Sequence, residues 1–360
     1  MAAVTAFPPG CPSKRIAWPS LRSMTGPVTL SDVAREAGVS LATASRAING
    51  SANRVVRPDL RDRVVEAAER LRYRPDINAQ AMARGRTNSI GLLVHDIADP
   101  YFSSIARGVA RTAQGASLQV ILASTEHDTA REVTIVELLQ SQRARAIVIA
   151  GGRHDDPEAN AALAAAVTEY REAGGGVAVI GQPLADVATV EVGNASGARA
   201  LAVALHERGY RDVVVLGGPE DHLTARERRD GFVDGLRSLG VPEVRVVHGE
   251  FTHEGGEQAM ASVLASGPRP QLVFAVNDVM ALGALAAVRA AGLSVPDDVA
   301  LAGFDDITTL RDVVPGLTTV RIPLEQVGVA ATELALGSAG DGSGVRIETE
   351  VVLRESTPGV

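Results

Sequence analysis

At 360 residues and 46% hydrophobic content the chain is too long for one core, and no apolar run reaches membrane length, which excludes a membrane-spanning helix. A single Cys excludes internal disulfides and cysteine-built metal sites, in keeping with a cytoplasmic protein. The net charge of −8 is unevenly spread: residues 28–86 hold 11 Arg against seven acids, whereas residues 87–360 hold 21 Lys plus Arg against 36 acids, so polyanion affinity is expected in the first segment and not in the second.

Residues 1–26 contain four prolines, the only Cys and the only Trp, and no periodic stripe, so disorder is expected there. Met24, four residues before Val28, is a candidate translation start; an intact mass counted from Met1 would reject it. Leu30, Val33, Ala34 and Ala37 then recur at helical spacing, and Gly38 follows as the residue that tolerates a left-handed turn. Ser40 offers an N-cap oxygen to a second helix, LATASRAIN, which buries only small groups beneath a face carrying Thr43, Ser45 and Arg46. Pro58 opens a third helix whose stripe is Leu60, Val64, Ala67, Ala68 and Leu71. Residues 27–74 thus outline a small all-α headpiece; its Ala-x3-Gly spacing fits either a common helix hairpin or a helix-turn-helix that lays one helix on DNA, and the local positive charge favours the second. The segment 75–87 is too short and Ala-rich to hold a helix alone, so it is expected to order only on DNA, the alternative being a plain linker that ends in a basic GRT.

From residue 88 to 360 apolar runs alternate with amphipathic segments: IGLLV, 100–114, LQVILAS, 131–142, AIVIA, 157–173, VAVI; then DVVVLGG, 224–239, VRVV, 253–265, LVFAV, 278–291, VALAGF. Such alternation predicts parallel sheets covered by helices on both faces. About 270 residues call for two lobes, with a ligand between them at the carboxyl ends of strands.

VTLSDVAREAGVS followed by T-x-SR and Asn-Gly, the YRPD segment, and the later AVNDVMALGAL and LAGFDD stretches together resemble the LacI/GalR family of transcription regulators, from Val28 to about Arg354. The resemblance implies an α/β periplasmic-binding-protein-like effector domain of two Rossmann-like lobes. Crossovers near Val192, Val320 and Arg346 would divide it into lobe 1, about 88–191 and 321–346, and lobe 2, about 192–320 and 347–360. It implies a DNA-binding set in which Ser40, Thr43, Ser45 and Asn49 meet phosphate, Leu41, Ala42 and Arg46 face base edges, and Thr29 takes part. Arg46 is matched to guanine O6 and N7, whereas Leu41 and Ala42 can touch only apolar features such as a thymine methyl. Met82 stands where the family wedges an apolar side chain into the minor groove from a hinge helix paired across a homodimer.

For the effector pocket the resemblance points to Tyr101, Phe102, Thr224, Arg228, Phe251, Asn277 and Asp305, all just after strands. Aromatic walls, a charged pair and an amide suit a small sugar, with a nucleobase as the other ligand class; release by ligand is the commoner behaviour of the family and is expected here, with corepression as the alternative. No cofactor or metal is expected. The expected partners are a pseudo-palindromic duplex operator, the effector and a second copy of the chain, with no membrane. The absence of leucine heptads after the last strand favours a dimer over a tetramer. An enzyme is disfavoured: there is no GxxxxGKS/T phosphate loop or GxGxxG after the first strand, and FTHEGGEQ lacks the second histidine of a zinc protease helix. A secreted sugar carrier is disfavoured because no signal peptide precedes the lobes.

Overall fold

A computed structural model of the chain describes residues 28–49, 56–74, 85–337 and 344–360. Met82, residues 1–26 and most of the expected hinge lie outside the described residues. The chain divides into two compact units, one through Gln80 and one from Ala81.

The first unit packs α1 (Leu30–Ala37), α2 (Leu41–Asn49) and α3 (Pro58–Arg70) around buried Val33, Ala34, Ala37, Ala44, Ala47, Val64 and Ala67. Thr29 begins α1 through a capping box: its hydroxyl accepts from Asp32 N, and the Asp32 carboxylate accepts from Thr29 N at 3.0 Å. Gly38, at φ 64°, turns the chain out of α1. Ser40 Oγ accepts from Thr43 N at 3.1 Å and so caps α2. The core is mostly alanine, so the helices approach closely, and α3 is tied to α1 by Arg63 on the Ala37 carbonyl and by an Arg70–Glu36 ion pair of 3.1 Å.

The second unit begins with β1 (Ser89–Val94), α4 (Pro100–Gly115), β2 (Gln119–Ser124), α5 (Thr129–Ser141), β3 (Ala146–Ala150), α6 (Pro157–Glu172), β4 (Gly176–Ile180) and β5 (Ala188–Val192). It continues with α7 (Asn194–Glu207), β6 (Val213–Leu216), α8 (Leu223–Ser238), β7 (Arg245–Val247), α9 (His253–Ala265), β8 (Leu272–Ala275), α10 (Asp278–Ala290) and β9 (Ala300–Ala302). β10 (Thr319–Arg321), α11 (Leu324–Ala335), β11 (Val345–Ile347) and β12 (Glu350–Val352) complete it.

Lobe 1 is a six-stranded parallel sheet in the order β11-β5-β4-β3-β1-β2, and lobe 2 a four-stranded parallel sheet in the order β7-β6-β8-β9. The antiparallel pair β10–β12 lies beside α7. In β3, Ala146, Val148 and Ala150 join one core cluster while Ile147 and Ile149 join another, which is why that strand reads as an unbroken apolar run: both faces are covered. In lobe 1 the strand order reverses between β1 and β3, and in lobe 2 between β6 and β8. Those reversals open crevices at the carboxyl ends of four strands, and the loops that begin at His95, Gly151, Gly217 and Val276 line them.

Candidate functional site

On the first unit, α2 turns Ala44 and Ala47 inward, which leaves Leu41 half exposed at its amino end beside exposed Ala42. Ser40 Oγ and Thr43 Oγ1 lie 2.8 Å apart, and Asn49 Nδ2 donates to Ser45 Oγ at 3.3 Å. Arg46 folds back along its own helix, its Nε donating to the Ala42 carbonyl at 2.9 Å. The expected DNA-binding residues of α2 therefore share one helix with a polar, partly exposed surface. Thr29 differs from them, because its hydroxyl is engaged in the α1 cap and donates to Asp32 Oδ2 at 2.7 Å.

On the second unit all seven expected pocket residues line one cleft between the lobes. Tyr101 and Phe102 stand in the first turn of α4, where the Asp99 carboxylate accepts from Tyr101 N at 2.8 Å. Thr224 and Arg228 come from the start of α8, Phe251 from the loop before α9, and Asn277 caps α10 by accepting from Met280 N at 2.7 Å. Asp305 follows β9 at φ 123°, a backbone angle that non-glycine residues rarely adopt and that costs about 1–3 kcal/mol. Arg228, 2% exposed, is held on every side. Its Nη2 lies 2.8 Å from Asp305 Oδ1, its Nε donates to Asn194 Oδ1 at 2.9 Å, its Nη1 donates to the Val276 carbonyl at 2.9 Å, and its plane covers Phe304. Asp305 Oδ1 is buried and is taken up by the Arg228 ion pair rather than by a well-aligned hydrogen bond. Burial pushes the Asp305 carboxyl well above its usual range, against the pull of Arg228.

Sequence reasoning missed a histidine wall. His95, His127 and His222 line the cleft, and His154 packs edge-on against His222. Ring centroids are 4.9 Å apart for His95–His127 and 6.3 Å for His95–His222, and His222 stacks on Phe251 at 4.8 Å. Behind His95 lies a buried bidentate pair, with Arg153 Nη1 2.6 Å from Glu132 Oε2. Burial would raise the Glu132 carboxyl, but its contacts with Arg153 and His95 hold it at about 2. Burial pulls His95, His127 and His222 down, His222 to about 2, and pushes Asp99 up to about 6. Each imidazole follows a strand end, as do the seven expected residues, and that shared position was the available signal.

At its mouth the cleft is clasped. Leu223 N donates to the Arg153 carbonyl at 2.9 Å and Asp155 N to the Asp221 carbonyl at 2.8 Å, flanked by a His154 Nδ1–Asp221 Oδ2 contact of 3.1 Å and an Arg226–Asp155 ion pair of 2.9 Å. Gly152 permits this approach, since a Cβ there would meet Thr224 Oγ1 and His222 Cε1 at about 2.4–2.5 Å. The enclosed space is about 40 Å³, room for a water or two, whereas small-molecule pockets run to roughly 300–1,000 Å³. The lobes must part to admit a ligand.

Because His222 stays neutral when folded but takes a proton near pH 6.5 when unfolded, its contribution is present above that pH and lost as pH falls below it. Comparing the wild type with His222→Asn, which keeps an acceptor for Ala225 N, should isolate this effect. The wild type is expected to lose about 1.4 kcal/mol relative to the variant between pH 8 and pH 5.5 in chemical denaturation. Parallel pH profiles would show that His222 titrates freely in the fold.

A family model described as bacterial regulatory proteins, lacI family, matches residues 29–76, and one described as a periplasmic binding protein-like domain matches residues 202–357. The transcriptional regulator GalS of Salmonella typhimurium is 35% identical over 318 residues, covering 87% of this chain and 91% of its own. Among solved structures, the lac repressor dimer bound to operator and the anti-inducer ONPF superposes with a TM-score of 0.80 at 26% identity, covering 92% of this chain and 99% of that one. The regulator CelR in complex with cellobiose superposes with a TM-score of 0.66 at 30% identity, covering 91% and 99%. With a helix-turn-helix headpiece, a two-lobed body and relatives aligned along nearly the whole chain, this protein belongs to the LacI family of bacterial regulatory proteins and is a DNA-binding transcription regulator rather than an enzyme.

Proposed function

We propose that this regulator is a cytoplasmic repressor, dimeric on a pseudo-palindromic operator, which lets go when an uncharged sugar enters the cleft. Residues 27–74 form the DNA-binding headpiece, 75–87 the hinge and 88–360 the effector body. Ser40, Thr43, Ser45 and Asn49 hold phosphate with help from Thr29, Leu41, Ala42 and Arg46 face the bases, and Met82 is the minor-groove wedge. The lac repressor structure, a dimer on operator DNA, supports the assembly, and the CelR–cellobiose complex supports the ligand class.

The observation that carries the sugar reading is the charge pattern of the cleft. Each Arg228 nitrogen has a protein partner in Asp305, Asn194 or the Val276 carbonyl and Arg153 is paired with Glu132, while burial disfavours the charged form of His95, His127 and His222, so among the described residues no unpaired cation lines the cleft to hold a phosphate or carboxylate. What remains are neutral donors and acceptors on Asn277, Thr224 and the imidazoles. The rings of Tyr101, Phe102, Phe251 and His222 stand ready for the apolar face of a sugar.

A thermal-shift screen of the full chain should set neutral mono- and disaccharides against sugar phosphates, nucleosides and nucleobases. A neutral sugar is expected to raise the melting temperature and to weaken operator binding by the same factor by which operator weakens sugar binding. Stabilisation by a phosphorylated sugar or a nucleobase alone would overturn the reading.

A further inference from the structure

The body as a whole is acidic, with 36 acids against 21 Lys plus Arg over residues 87–360, yet the edge at which the chain enters it from the headpiece is not. The amino ends of β1, β3 and β4 meet there, and a surface cavity of about 410 Å³ is lined by Arg86, Arg145 and Arg171 with Asp186 as its only acid among the described residues. Arg86 is fixed: its Nη1 donates to the Ala144 carbonyl at 3.0 Å, its Nη2 donates to Ala173, and its guanidinium lies over Tyr170. Arg145 and Arg171 are exposed, and their side chains have no hydrogen-bond or ion-pair partner among the described residues. Exposed Arg143 adjoins them, its carbonyl accepting from Thr87 N at 2.9 Å.

We propose that this arginine edge is a second DNA contact, made by the body to the phosphate backbone and blind to sequence. Two further considerations favour duplex DNA as the occupant. Eleven Cα steps separate Arg74 of the headpiece from Gly85 of the body, so the edge is tethered within about 40 Å of a bound headpiece. A tether that short gives an effective concentration in the millimolar range, at which even weak phosphate contacts count. Guanidiniums with no partner and no ordering cost already met elsewhere are the groups that release counterions when they meet phosphate. The bland account of the same residues is helix capping: Arg171 lies in the last turn of α6, and Arg143 and Arg145 just beyond the end of α5, where cations suit the helix dipole. The two accounts part in their salt dependence.

The test uses the full chain and an operator duplex selected from a random pool with the wild type, with Kd measured by fluorescence anisotropy from 50 to 200 mM KCl. Arg145→Gln/Arg171→Gln removes four guanidiniums per dimer. It is expected to weaken binding roughly tenfold at 100 mM salt and to lower the slope of log K against log salt by about 2–4, at about 0.9 per phosphate, with operator preference over random DNA unchanged. Arg199→Gln/Arg237→Gln on α7 and α8 removes the same charge from lobe 2 and should leave the slope unaltered. Equal slopes for wild type and the first variant, with only its melting temperature lowered, would reduce the edge to helix capping. Stabilisation of the wild type but not the variant by inorganic phosphate, at equal salt slopes, would reassign it to a free anion.

Discussion

Asp305→Ala is expected to leave operator binding intact, abolish the response to effector and destabilise the body by about 3–5 kcal/mol. The size follows from Arg228. Its guanidinium is buried, and removal of Asp305 strands that charge with only the Asn194 and Val276 oxygens as partners. The loss of response follows from the place of Asp305 in the cleft, where the carboxylate that holds Arg228 also lines the ligand space. Stability and binding can be separated by the double variant Arg228→Met/Asp305→Leu, in which an apolar pair replaces the ionic one. Such replacements are often neutral or stabilising, so urea denaturation should show most of the stability regained while the effector titration stays flat. An unchanged effector titration for Asp305→Ala would remove the residue from the pocket.

Much of this cleft was legible because topology, not local chemistry, fixes where a binding loop falls. Once the alternation of apolar runs is read as strands and helices, the residues just past each run are bound to meet at the carboxyl edge, and Tyr101, Arg228, Asn277 and Asp305 do so. His95, His127 and His222 obey the same rule but carry no motif, and a lone histidine in a sequence looks like any other. Helix α7 was absent from the predicted series for a different reason. Its buried face is built from Asn194, Gly197, Ala198, Leu201, Ala202 and Leu205, and small residues that allow close packing on α8 make a faint stripe. The start of α5 came two residues earlier than expected because Asp128 caps it, accepting from Ala130 N at 2.9 Å. The clasp between residues 153–155 and 221–226 could not be read at all, since backbone bonds between loops some 70 positions apart leave no periodic trace.

Arg46→Ala is expected to erase operator selectivity while sparing both the headpiece fold and effector affinity. Arg46 contributes nothing to the headpiece core, which is made by Val33, Ala44, Val64 and their neighbours, so its truncation should leave the melting transition where it was. In the free protein its guanidinium is parked on the Ala42 carbonyl, a single exposed hydrogen bond worth only about 1 kcal/mol, and swinging out to a base edge costs little. A bidentate contact to guanine discriminates by about 1–3 kcal/mol, and two half-sites double that, so the preference for operator over random duplex should fall between about 30-fold and 10⁴-fold. The salt slope should hardly move, because base edges release no counterions. That pattern is the reverse of the one expected for Arg145 and Arg171, whose loss should flatten the slope and spare selectivity. Competition anisotropy with operator and scrambled duplexes resolves the two; equal weakening on both duplexes by Arg46→Ala would place this arginine on phosphate and leave base reading to Leu41 and Ala42.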